Sequence, residues 1–116
     1  MEVAPGATWL PPVRRLLLPG LAGLGTPGHV ALTFDDGPDP SGTPAVLAAL
    51  AELGWRATFF MLGTQARAHP GLAAAVTDAG HEVALHGDEH RYLFTRGHRA
   101  IRDDLTRGVE ELRAAT

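Results

Sequence analysis

The sequence predicts an α/β domain of three parallel strand–helix units. Three short apolar runs each end abruptly in a polar or glycine-containing turn, and each is followed by a segment with helical character. Units of this kind in series give a parallel sheet with right-handed crossovers. The placement of polar residues adds a further sign, because Asp35-Asp36 and the stretch His86 to His90 both lie at the carboxyl ends of predicted strands. Ligands of such sheets bind outside those ends, so two clusters about fifty residues apart in sequence can meet in space.

The first strand reads as His29 to Phe34, closed by Asp35-Asp36-Gly37-Pro38. Pro38, Pro40, Ser41 and Gly42 mark a loop. Thr43 suits an N-cap and Pro44 the first helical position. Val46, Leu47, Leu50 and Leu53 then share a helical face, and Gly54 ends the helix. Ala57 to Leu62 reads as the second strand, ended by Gly63, and a short turn leads to Pro70. Residues 71–79 read as an alanine-rich helix stopped by Gly80, and Glu82 to Leu85 as the third strand. From about residue 98 the tail is helical. Ile101, Leu105, Val109 and Leu112 lie on one face, with Asp103 and Asp104 early and Arg113 late, as the helix dipole favours.

Residues 1–28 are rich in proline and glycine and read as an irregular arm lying across a domain at 29–116. Arg14-Arg15 before Leu16-Leu17-Leu18 loosely resembles an export signal. Pro19, Gly20 and Gly23 break that apolar run early, and no small-x-small cleavage site follows cleanly, so the sequence reads as cytoplasmic.

Composition narrows the function classes. A chain of 116 residues allows one domain. The formal charge of −3 gives no basic field for nucleic acid. No apolar run approaches the roughly 20 residues that span a bilayer. With no cysteine, any metal must be held by His, Asp or Glu.

Taken alone, Asp35-Asp36 suits a turn whose carboxylates cap loop amides, and His86 and His90 suit surface histidines. Taken together they suit a hydrolytic metal site. Two imidazoles and one carboxylate form a facial set for Zn²⁺ that leaves positions open for water, and the second carboxylate is free to act as a base. His86-Gly87-Asp88-Glu89-His90 also fits the inverted zinc-protease pattern H-x-x-E-H. That motif belongs on a helix, and here a strand precedes it and Gly87 interrupts it. His29, His69, His81 and His98 read as surface or capping residues. Trp9, Trp55, Tyr92 and Phe94 read as packing residues, although Tyr92 or Phe94 could line a sugar site.

These residues resemble the polysaccharide deacetylase family, the carbohydrate esterases that share the NodB homology domain. Thr33-Phe34-Asp35-Asp36-Gly37-Pro38 resembles the family's first motif. Ala57-Thr58-Phe59-Phe60 with Gly63 resembles its second strand, and His69-Pro70 and Gly80-His81-Glu82-Val83 resemble the run into its second motif, whose paired histidines match His86 and His90. The resemblance implies the first part of a distorted (β/α) barrel. It also implies a metal-dependent enzyme that removes N-acetyl groups from N-acetylglucosamine polymers such as peptidoglycan or chitin, at the cell envelope. On that resemblance Asp35 is the general base, and Asp36, His86 and His90 hold a divalent cation, most readily Zn²⁺.

Two departures shape the expectations. Gly87 stands where the family usually carries Ser or Thr, so the loop is expected to lack a hydroxyl brace and to bind metal more weakly. Nothing after His90 resembles the family's arginine-proline segment, its later Asp or its late Leu-x-His. The sequence therefore reads as the N-terminal portion of a deacetylase. The alternative is a shortened, catalytically silent metal- or glycan-binding domain that self-associates through an exposed sheet edge.

Overall fold

The computed structural model describes residues 11–18, 20 and 25–116. The chain divides into two compact units, residues 1–30 and 31–116. The first holds a short helix, α1 (Pro11–Leu17), where the sequence predicts irregular chain. The rest of the expected arm (residues 1–10, 19 and 21–24), including Trp9, lies outside the described residues.

The second unit is an α/β structure around a three-stranded parallel sheet. Its strands are β1 (Thr33–Gly37), β2 (Thr58–Met61) and β3 (Glu82–Leu85), with β2 in the middle. The helices are α2 (Gly42–Leu53), α3 (Gly63–Ala68), α4 (Pro70–Asp78) and α5 (His98–Ala115), with a 3₁₀ turn at Leu93–Thr95. Phe59 and Met61 of β2 are buried among Leu50, Ala66, Ala73, Val76, Leu112 and Ala115. Phe34 lies against Phe59 with ring centroids 5.1 Å apart.

The parallel units are as predicted, but several boundaries move. β1 starts at Thr33 rather than His29 and runs on through both aspartates. Register explains this: Thr33 pairs with Thr58, the first residue of β2, so the ladder starts there, and Leu32 contributes its carbonyl, which accepts from Thr58 N at 3.0 Å. α2 starts at Gly42, and Thr43 is not its N-cap. Thr43 is buried, and its Oγ1 accepts the Asp39 N–H at 2.9 Å. The orphan amides at the helix start go instead to Asp39, whose Oδ1 accepts from Ser41 N at 2.9 Å and Gly42 N at 2.7 Å. The bond from the Ser41 hydroxyl, with those two amides, holds the Asp39 carboxyl below its ordinary range. Leu53 and Trp55 are exposed rather than packed, because the core contacts of α2 end with Val46, Leu47 and Leu50. The expected turn after β2 is the helix α3.

The largest correction concerns α5. Its buried side is Asp104, Gly108, Leu112 and Ala115, while Leu105 is exposed and Ile101 and Val109 are half-buried. Two contacts turn the helix this way. At Gly108 an added Cβ would stand 2.6 Å from Leu85 Cδ1 and 3.1 Å from Asp88 N, so only glycine lets α5 lie this close to the end of β3. One turn earlier, Asp104 has partners for its charge. Its Oδ2 accepts the Asp88 N–H at 3.0 Å and its Oδ1 accepts from Arg96 Nη1 at 2.9 Å. Burial raises the Asp104 carboxyl, but the Asp88 amide and the Arg96 cation outweigh it and hold it below its ordinary range.

Two expectations follow. Gly108→Ala should destabilise the fold by about 1–3 kcal/mol, since the crowding atoms include backbone that cannot rotate away. Urea melts read by circular dichroism check this, and an unchanged midpoint would refute the close approach. The second concerns acid. Because Asp104 is lowered in the folded state, its stabilisation is fully present above its unfolded pKa of about 3.9 and is lost as pH falls through the folded value. Melts at pH 6 and pH 3 should therefore differ less for Asp104→Asn than for the parent chain.

Candidate metal centre

Asp36, His86 and His90 come together at the carboxyl ends of β1 and β3. One ligating atom from each lies within 4.8 Å of the others. His86 Nε2 is 3.2 Å and His90 Nε2 3.6 Å from Asp36 Oδ1. Nitrogen and oxygen ligands about 2.0–2.2 Å from a tetrahedral cation stand about 3.4 Å apart, so this set fits one zinc-sized ion. All three side chains are exposed, so the set opens to solvent.

A bulge, rather than the turn at Gly37-Pro38, delivers the carboxylate. Asp35 pairs with Phe60 and Gly37 with Met61, so Asp36 is the extra residue on β1. Its φ of 70° is left-handed, a conformation that costs a non-glycine residue about 1–2 kcal/mol and that aspartate adopts more readily than most. Bulges re-aim side chains at sheet ends. Asp35 and Asp36 accordingly line the same cavity, of about 340 Å³, with Asp39, Phe59 and Phe60.

The histidines are delivered by a loop held on both sides. His86 N donates to Met61 O at 2.8 Å, Gly63 N to Gly87 O at 3.0 Å and Thr64 N to Asp88 O at 3.0 Å. The Thr64 hydroxyl adds a bond to the same Asp88 oxygen at 2.9 Å. From α5, Asp104 takes the Asp88 N–H, and Arg107 Nε reaches Asp88 Oδ2 at 3.1 Å. Among the described residues Asp88 Oδ1 is buried without a hydrogen-bond partner. Asp88, Asp104, Arg96 and Arg107 were not legible as support for the site. The available signal was Asp104 falling on the same helical face as Gly108 and Leu112, a polar residue in a buried stripe.

The Gly87 expectation changes. Its φ is +93°, and an added Cβ would stand 3.3 Å from Asp104 Oδ2 and 3.4 Å from Glu89 O. A serine there is strained, and Asp104 supplies from α5 the brace that a hydroxyl at position 87 was expected to give. The protease alternative also loses its basis, because residues 86–90 form a loop, and H-x-x-E-H needs a helix to aim both histidines at one ion. Among the other histidines, His81 packs its ring against Phe59 at 5.4 Å and accepts from Ala57 N, while His29 and His98 are exposed. Tyr92 is not a packing residue: it is 85% exposed and lines a second cavity of about 660 Å³ with His86, Glu89 and His90. The Phe94 side chain lies outside what the structure describes.

The sequence profile described as Polysaccharide deacetylase matches residues 23–116. A peptidoglycan-N-acetylglucosamine deacetylase of Bacillus cereus is 39% identical over 79 residues, covering 68% of this chain and 37% of the relative. A chitooligosaccharide deacetylase of Sinorhizobium fredii is 42% identical over 94 residues, covering 81% and 43%. A solved family 4 carbohydrate esterase from Streptomyces lividans, in complex with acetate, superposes with a TM-score of 0.73 at 37% identity, covering 78% of this chain and 47% of that one. The chain thus spans about two fifths of the length of these curated relatives. The aspartate pair and both histidines lie within the matched segment, on a fold shared with solved members, and the chain belongs to the polysaccharide deacetylase family.

Proposed function

We propose that this chain carries the metal- and base-bearing part of a polysaccharide N-deacetylase site. Asp36, His86 and His90 are its metal ligands, Asp35 is its general base, and N-acetylglucosamine units of a peptidoglycan- or chitin-like glycan are its substrate. The observation that supports this most is the meeting of Asp36 with two imidazoles fifty residues away, beside a second carboxylate. A turn whose aspartates merely cap loop amides has no reason to bring those imidazoles within 3.2 and 3.6 Å of one carboxylate oxygen. The named relatives act on peptidoglycan and chitooligosaccharide, which supports the substrate class.

The donor set, two imidazoles and a carboxylate without thiolate, favours Zn²⁺. When bound, such an ion polarises an amide carbonyl and lowers the pKa of water to about 7. Asp35 has no ion to hold in this arrangement. It sits next to Asp36, lines the same cavity and is placed to accept the proton of an attacking water. Water adds to the acetamide carbon, the proton taken up by Asp35 passes to the sugar nitrogen as the C–N bond breaks, and acetate and the free amine of the sugar are the products. The exposed ligands suit a long polymer, which must lie across the sheet end rather than enter a closed chamber.

Metal analysis after dialysis against zinc should give one ion per chain, and Asp36→Ala, His86→Ala or His90→Ala should each abolish binding. Retention by all three variants would sink the metal assignment. Acetate release from a chitin oligomer tests the chemistry. Asp35→Asn should keep the metal and lose about 10²–10⁴-fold in rate. Metal binding without acetate release would leave this chain a metal-binding domain and overturn the enzymatic reading.

A further inference from the structure

The loop that carries both histidines has no regular structure of its own, yet its ligands must be held to a fraction of an ångström. Part of that hold comes from a residue outside the loop. Asp104 lies 14 residues beyond His90, on α5, and is 1% exposed. One of its oxygens accepts the N–H of Asp88, the residue midway between His86 and His90. The other accepts from Arg96, at the far end of the segment that leaves His90. A single carboxylate therefore ties the loop at its centre and the chain that follows it.

We propose that Asp104 is a positioning residue for the two imidazoles, setting their spacing and aim through the Asp88 amide without touching the ion or the substrate. The proposal rests on the reading of His86 and His90 as metal ligands.

Three observations make the role more specific than general stability. First, the tie falls on the backbone amide of Asp88, which a single residue separates from a histidine on either side, so a shift there moves both rings. Second, the opposite side of the loop is fixed by backbone bonds from Gly63 and Thr64, which leaves Asp104 as the constraint from α5 on the loop's backbone. Third, Gly87 and Gly108 clear the space that lets the carboxylate reach in. A Cβ at Gly87 would stand 3.3 Å from Asp104 Oδ2, and one at Gly108 would stand 3.1 Å from Asp88 N. Arg107 pairs with the Asp88 side chain and Arg96 with Asp104, so each buried acid is balanced by a cation.

The test uses the full chain and zinc alone, with affinity read by competition against a chromophoric chelator. Asp104→Ala should weaken zinc binding about 10–100-fold, the usual effect of removing a group that orients metal ligands. Asp104→Asn keeps an oxygen for the Asp88 amide and gives up the Arg96 pair, so it should recover most of that affinity. Glu111→Ala, on the same helix as Asp104, breaks the pair that ties α5 to Arg67 of α3 and should leave affinity unchanged, which separates positioning from a general loosening of α5. Co²⁺ absorption spectra should change in intensity for Asp104→Ala alone, since band intensity follows ligand geometry. In the metal-free protein, the imidazole resonances of His86 and His90 should shift in Asp104→Ala and stay in place in Glu111→Ala. Parental affinity and spectra in a folded Asp104→Ala overturn the proposal while the metal centre stands. Absence of zinc binding by the parent chain overturns the metal reading instead, and the positioning of the rings is then decided by the metal-free resonances. If Asp104→Ala does not fold, Asp104→Leu, which fills the space without an acceptor for the Asp88 amide, takes its place: an affinity below that of Glu111→Ala supports the role, and equal affinities overturn it.

Discussion

The structure depends on three backbone segments approaching more closely than side chains would allow. Gly63 opens α3, Gly87 and Asp88 follow β3, and Gly108 lies midway along α5. A Cβ on Gly63 would stand 2.8 Å from the Gly108 Cα, and one on Gly108 would stand 2.6 Å from Leu85. With all three in place, the N–H groups of Gly63 and Thr64 meet the carbonyls of Gly87 and Asp88. α5 lies close enough to put a carboxylate on the Asp88 amide. The helix that follows the histidine loop in sequence thereby becomes the wall that holds it. Separating these segments by the width of one methyl group would break the bonds that define the loop, since hydrogen bonds weaken steeply beyond about 3.2 Å.

The two halves of the candidate centre are built by opposite means. Asp36 is aimed by a local distortion, a bulge with a left-handed residue at the end of a strand whose other residues pair regularly. His86 and His90 are aimed by distant contacts on a loop with no ladder of its own. The first arrangement is set by the strand's register and needs little outside help. The second depends on partners 16 or more residues away. Loss of these bonds from α3 and α5 therefore acts on the histidines before it acts on Asp36.

The sheet and the pairing of the two clusters were legible in the sequence because both follow from strong local signals. Apolar runs closed by turns gave the strands, and topology alone put Asp35-Asp36 and His86 to His90 at the same end. What could not be read was set by tertiary context. β1 began four residues late because a strand is defined by its partner, and Thr58 sets where pairing can start. α5 was turned because its apolar periodicity is satisfied by Ile101, Leu105, Val109 and Leu112. A glycine contact and a buried ion pair prefer the neighbouring face instead, and neither leaves a hydrophobic signature. Gly87 looked like a missing brace because its φ of +93° cannot be seen in a sequence.

The distribution of charge suggests why the support is polar rather than apolar. A well-packed apolar residue at position 104 would avoid the cost of burying a carboxylate, but it would leave the Asp88 N–H without a partner. That amide cannot turn to the sheet, because the two residues before it already bond to β2 and α3: His86 N to Met61 O, and Gly63 N to Gly87 O. A buried amide facing a helix needs an acceptor from that helix, and the backbone carbonyls of α5 are committed to its own turns. A short side chain with an oxygen meets the need, and aspartate at one turn before Gly108 supplies it with Arg96 balancing the charge. The loop's need for an acceptor, and through the loop the aim of its two imidazoles, thus accounts for the buried acid on α5.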